Sequence, residues 1–287
     1  MKKTQTSTTA QGIAFIRAFE TSKPPDVRIC NDPYARQFIN PFFYLLGRLF
    51  ASYSERVAPG VIGFLVARCR HIDDYLQACL DADIRQVVIL GAGLDSRAYR
   101  FALLQYQGKV YEVDQPATQQ AKKTTVKKVL GELPSHVAYV PVDFNHETLQ
   151  KLYDFGYNRQ LRTLFIWEGV THYLQPAAVD QTLAFVRANS APDSTIIFDY
   201  VYSSALVAQK KRGEITRMHR SARFTGEELV FGIEEGEVGA FLSERGYDRV
   251  VNVTSQELEK QYFTGANAGR KVAPIYAIVH AVVSATV

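Results

Sequence analysis

Cysteine is scarce: the 287-residue chain has three, Cys30, Cys69 and Cys79. An odd number without a C-x-x-C pair indicates neither a disulfide framework nor a zinc site, so a metal is not expected and a reducing cytoplasm is the expected compartment. Long apolar runs are also missing. None approaches the ~18 residues that a membrane span needs; the longest, Pro41 to Ala51, is broken by Gly47 and Arg48. The start, MKKTQTSTTAQ, has two lysines with no apolar stretch behind them, which is not a secretory signal. No membrane partner is expected. Charge of one sign is lacking too, since 33 Lys and Arg against 29 Asp and Glu leave a formal +4. The densest basic cluster, Lys122, Lys123, Lys127 and Lys128, has the spacing of a solvated helix face, and no nucleic-acid partner is expected. No internal repeat is visible, and 47% hydrophobic residues are ample for a core.

What is present is centred on Val87 to Arg100, VVILGAGLDSRAYR. Four apolar residues, Val87 to Leu90, suit a strand buried on both faces, and glycines follow at once. Gly91 and Gly93, with Ala92 between them, leave the backbone bare where it leaves the sheet, so that N–H groups there can approach a ligand closely. An ordinary strand-to-helix turn uses glycines in the same way. The third glycine of the dinucleotide fingerprint is absent, so an adenosine ligand without phosphates, such as S-adenosylmethionine (SAM), fits better than a pyrophosphate.

Before this turn, residues 1–85 show helical spacing and loop punctuation but no convincing strand, which predicts a helical N-terminal extension; residues 86–287 then form the core. Within Val61 to Leu80, Val61, Leu65, Ile72, Leu76 and Cys79 share one helical face, with Arg68 at its edge. An arginine on a buried face needs an anion, either a nearby carboxylate or a ligand. Arg70 with Asp73 and Asp74 reads as a solvated face.

After the turn, strands are expected at Lys109–Asp114, His136–Val142, Arg162–Trp167 and 195–201, alternating with helices, which argues for a parallel sheet with helices on both faces. Asp114 ends its strand about 20 residues beyond Gly93, where an acid can accept both ribose hydroxyls. Glu112 is its rival, one alternation nearer the strand interior, and a plain helix cap is the other reading of Asp114. Asp143 with Phe144 could accept from an adenine amino group and cover the ring, or form an Asx turn. Glu168 ends the next strand. About residues 202–237 the chain is polar and irregular, which reads as a substrate-facing inserted lid. Two closing strands, Tyr247–Thr254 and within Pro274–Val283, are expected to pair antiparallel.

The wording VVILGAGLDSRAYRF, VYEVDQP, VDF and FIWEGVTHYL, with RICNDPYARQF and VARCRHIDD upstream, closely resembles the leucine carboxyl methyltransferase superfamily of class I SAM-dependent methyltransferases, nearest its bacterial O-methyltransferase branch, which includes enzymes of polyketide biosynthesis. The resemblance implies an α/β fold with a doubly wound, seven-stranded, mostly parallel, Rossmann-like sheet. It implies that Arg68 holds the SAM carboxylate, Gly91 to Gly93 lie beside the methionine part, and Asp114 takes the ribose. It further implies that Asp143 and Phe144 contact adenine, that Glu168 lies close to the SAM amino group, and that Tyr173 lines the reaction centre. Arg17 aligns loosely with an early basic residue near the same carboxylate.

Methyl transfer from a sulfonium is an in-line displacement, so orientation carries most of the catalysis. A carboxylate acceptor is already ionised and needs no base, whereas a phenol benefits from one. His172 is the candidate base, or a histidine packed at a helix start. The expected acceptor is a small molecule. Two rival readings are an NAD(P)-dependent oxidoreductase on a similar fold and a non-catalytic SAM-binding protein; oligomeric state is not indicated.

Overall fold

A computed structural model of the protein describes residues 8–48, 59–204, 206 and 229–284. Seven strands form one sheet: β1 (Gln86–Leu90), β2 (Lys109–Asp114), β3 (Val137–Pro141), β4 (Thr163–Trp167), β5 (Thr195–Val201), β6 (Tyr247–Thr254) and β7 (Tyr276–Val283). Their order is β3-β2-β1-β4-β5-β7-β6. The first five run parallel, and β7 is antiparallel to both β5 and β6. The expected α/β architecture with an antiparallel closing pair is therefore the one observed.

The unbroken apolar run of β1 has a direct cause. Val87 and Ile89 enter one hydrophobic core while Val88 and Leu90 enter the other, on the opposite face of the sheet. In β4, Leu164 and Ile166 alternate with Phe165 and Trp167 in the same way. The first core is shared with helices α1 (Thr8–Thr21) and α2 (Val61–Asp81), through Ala14, Ala18, Phe64 and Ile72. Among the described residues no strand precedes Gln86.

Between β2 and β3 lies α3 (Pro116–Leu130), opened by a proline in its first turn, as is α4 (Pro176–Ala188) after β4. Here the expected solvated lysine face needs correcting. Lys127 and Lys128 are exposed, but Lys122 is only 1% exposed and pairs with buried Glu112 at 2.8 Å. A helix that lies on a sheet must turn one face inward, and the stem of a lysine can cover apolar surface while its charge finds a carboxylate. On α2, Arg70 and Asp74 do form an exposed pair, whereas Asp73 is buried against two arginines. Most of the proposed inserted segment, residue 205 and residues 207–228, lies outside the described residues.

One helix escaped the sequence reading. α5 (Ser255–Tyr262) starts on a capping box in which the Thr254 side chain accepts from the Glu257 N–H and the Glu257 carboxylate accepts from the Thr254 N–H. The Thr-x-x-Glu spacing was its available signal.

Candidate cofactor site

Beyond the C-terminal ends of β1, β2 and β4 lies a cavity of about 490 Å3. This is where ligands sit in open α/β sheets. Of the residues nominated above, Arg68, Gly91, Ala92, Gly93, Asp114, Phe144, Glu168 and Tyr173 line it. So does Arg17, carried on α1, which lays Thr9, Ala10 and Ile13 along the same wall. His172 and Asp143 do not line it.

The glycine turn is shaped by close approach. Gly91 has φ +68, and a Cβ added there would lie 2.3 Å from Cγ2 of Val170. The left-handed conformation alone costs a side chain ~1–2 kcal/mol, and the clash adds to that. Gly91→Ala is expected to lower the melting temperature by several degrees and to weaken ligand binding at least tenfold, as read by thermal denaturation and calorimetry.

Asp114 closes the turn from the tip of β2: its Oδ2 accepts the Gly93 N–H at 2.5 Å and its Oδ1 accepts the Gln115 N–H at 2.6 Å. It thus joins the two strand tips across which the cavity opens. Asp143 makes an Asx turn, in which Oδ1 accepts the Asn145 N–H at 3.0 Å. Phe144, the next residue, is the one that reaches the cavity.

Arg68 meets its anions within the protein, as two carboxylates. Nε donates to Glu168 at 3.0 Å and Nη1 to Asp199 at 2.6 Å, while Nη2 is buried with no hydrogen-bond partner. Glu168 is shared with Arg97, whose Nη1 lies 2.6 Å from Oε2. Arg97, 1% exposed, also pairs with Asp95 and with Asp73, and Arg100 reaches Asp73 at 2.6 Å. Burial raises the Glu168 carboxyl, but Arg97 and Arg68 outweigh it and hold it below the usual carboxylate range. Burial likewise opposes ionisation of Asp95, and Arg97 with Arg17 overcomes it.

Three guanidiniums, Arg68, Arg97 and Arg100, thus face four carboxylates, Asp73, Asp95, Glu168 and Asp199, in one connected network. The balance is one negative charge, beside a cavity that Glu168 and Asp95 line. Sequence reasoning missed Arg97, Asp95, Asp73 and Asp199. The signal for Asp199 was a charge in the middle of TIIFDYV, a strand buried along its whole length.

His172 is 5% exposed, its ring packs 4.3 Å from that of Tyr173, and Nδ1 has no hydrogen-bond partner. Burial pushes its pKa down to about 4, with Asp199 pulling the other way. A histidine whose folded pKa lies below its unfolded value of ~6.5 destabilises the fold as pH falls between those two values, because only the unfolded chain takes up the proton. Stability should therefore drop by up to about 3 kcal/mol between pH 6.5 and 4 on account of this group, at ~1.4 kcal/mol per pH unit. Urea melts at a series of pH values should show a drop in the wild type that is smaller by this amount in His172→Gln, the part due to His71 and His280, which burial also depresses, remaining.

The parallel strands with their antiparallel closing pair, and acids at the tips of the two strands that flank β1 around one cavity, are those of a class I SAM-dependent methyltransferase. A crystal structure of a protein from Thermobifida fusca YX, titled provisionally as a methyltransferase, has the same fold: TM-score 0.61 at 16% identity, covering 99% of this chain and 97% of that one. The chain belongs to the leucine carboxyl methyltransferase family, which matches residues 10–187. A Mycobacterium tuberculosis protein (strain ATCC 25177 / H37Ra) is 30% identical over 277 residues, covering 88% of this chain and 87% of its own. One from Mycobacterium sp. (strain KMS) is 33% identical over 270 residues, covering 87% and 86%. Both are provisionally named SAM-dependent methyltransferases.

Proposed function

We propose that the protein is a cytoplasmic O-methyltransferase that moves the SAM methyl group to a carboxylate or hydroxyl oxygen of a small molecule, a polyketide or another secondary metabolite. The observation that carries the cofactor assignment is the surplus negative charge of the buried network at the cavity. An ammonium and a sulfonium complement it, and a pyrophosphate would not. The orphaned Nη2 of Arg68 supplies a donor for the ligand's carboxylate, so both ends of an amino-acid moiety are provided for. Asp114 presents a carboxylate for the ribose hydroxyls, and Phe144 an apolar face for the adenine.

When bound, SAM supplies a methyl group on a positively charged sulfur that an oxygen can displace in line. The chain's task is to orient that oxygen and exclude water. Tyr173 lines the cavity and is the residue placed to contact the acceptor. His172 is a poor base by position and by basicity: it packs behind Tyr173, off the cavity wall, and burial depresses its pKa to about 4. This favours an acceptor that arrives already ionised, as a carboxylate does. The family's description, leucine carboxyl methyltransferase, supports the same choice.

Methyl release from SAM, measured against a panel of carboxylic acids and phenols, tests the reading. His172→Ala should leave turnover of a carboxylate acceptor within about threefold of wild type, and a large loss confined to a hydroxyl acceptor would restore His172 as its base. Equal and large losses with both would count against this division, and no turnover of any acceptor despite SAM binding would favour the non-catalytic alternative.

A further inference from the structure

Lys122 is the one buried lysine among the described residues, and nothing in the proposed chemistry uses it. Its ammonium lies 2.8 Å from Oε2 of Glu112, off the hydrogen-bonding direction, and 5.7 Å over the ring of Tyr99. Glu112 Oε1 accepts the Tyr99 hydroxyl at 2.9 Å. Charge balance explains that pair. It does not explain why the lysine also donates to the Ala92 carbonyl at 3.3 Å.

That carbonyl belongs to the peptide joining Ala92 to Gly93, whose N–H is the one accepted by Asp114. The two ends of a peptide group move as one plane. A charge that holds the oxygen therefore fixes where the N–H points, and with it the carboxylate that receives it. Gly93, with φ +42 and no Cβ, offers little resistance of its own to rotation of that plane. The Asp95 N–H also donates to the Ala92 oxygen, at 2.7 Å, and Lys122 adds a charged tether from α3, an element outside the turn.

We infer that Lys122 is a positioning residue for the cofactor turn, acting through the Ala92–Gly93 peptide on Asp114. The inference rests on the cofactor reading above. It assigns α3 a part in ligand affinity although Lys122 itself does not line the cavity.

Calorimetric titration with S-adenosylhomocysteine, together with thermal denaturation, tests it. Lys122→Met alone leaves Glu112 buried and unpaired, and Glu112→Gln alone does the same to Lys122, so each single variant is expected to lose stability and the informative protein is the double variant K122M/E112Q, with the wild type as its reference. The double variant should melt within a few degrees of the wild type and bind S-adenosylhomocysteine on the order of tenfold more weakly. In a D114A background the same pair of changes should alter affinity less than twofold, because the residue through which Lys122 acts is gone. A double variant that binds as tightly as the wild type would overturn the inference and leave the cofactor reading intact. A wild-type protein that does not bind S-adenosylhomocysteine would overturn both.

Discussion

Replacing Arg97 with methionine is expected to cost about 3–5 kcal/mol, the largest stability loss of any single substitution around the site. Arg97 is fully buried and serves three carboxylates, Asp73, Asp95 and Glu168. Removing it leaves Glu168 with Arg68 alone, Asp73 with Arg100 alone, and Asp95 without its ion-pair partner. The cost is that of uncompensated buried charge rather than of lost packing, since methionine fills much of the same space. At ~2–4 °C per kcal/mol for a chain this large, a fall in melting temperature on the order of ten degrees should be visible by calorimetry. Arg97→Lys should recover only part of it, because an ammonium cannot reproduce a planar fork shared among three acceptors. An Arg97→Met protein as stable as wild type would mean that these carboxylates are not ionised in the folded protein.

Asp114→Ala carries the largest expected loss of binding, with little loss of stability. The carboxylate stands at a strand tip on the cavity wall, so its removal creates no void in either core. It takes away the acceptor proposed for the two ribose hydroxyls and releases the Gly93 N–H. Hydrogen bonds to a charged group contribute ~1.5–3 kcal/mol each, so affinity for SAM should fall by about a hundredfold or more. Asp114→Asn should lose less than Asp114→Ala, since its amide oxygen can still accept one of those bonds. Near-normal affinity in Asp114→Ala, measured calorimetrically, would move the ribose away from β2.

The parts of this site that could be read from sequence are those set by local rules. Gly91 and Glu168 each follow an apolar strand at once, Asp114 ends its strand and Phe144 stands three residues beyond one, and strand ends in an alternating β/α pattern must fall along one edge of a parallel sheet. Arg68 was legible because helical spacing put it at the edge of a buried face, where a charge demands a partner. Which partner was not legible. Asp199 stands 131 residues away and Glu168 stands 100 away, and no periodicity connects them. Arg97 failed to register for the same reason, although it sits inside the motif that organised the reading. Lys122 was placed on a solvated face because a lysine-rich helix has no apolar stripe strong enough to mark its buried side; only its partner Glu112, at an inward position of β2, discloses it. Asp143 is ambiguous in sequence between a ligand contact and an Asx turn, and its side chain does make the turn, accepting the Asn145 N–H.

Calorimetric titration of the wild-type protein with SAM and, separately, with NADH tests the central claim most directly. The account predicts one SAM bound per chain, with no heat from NADH. Tight binding of NADH without binding of SAM would contradict it.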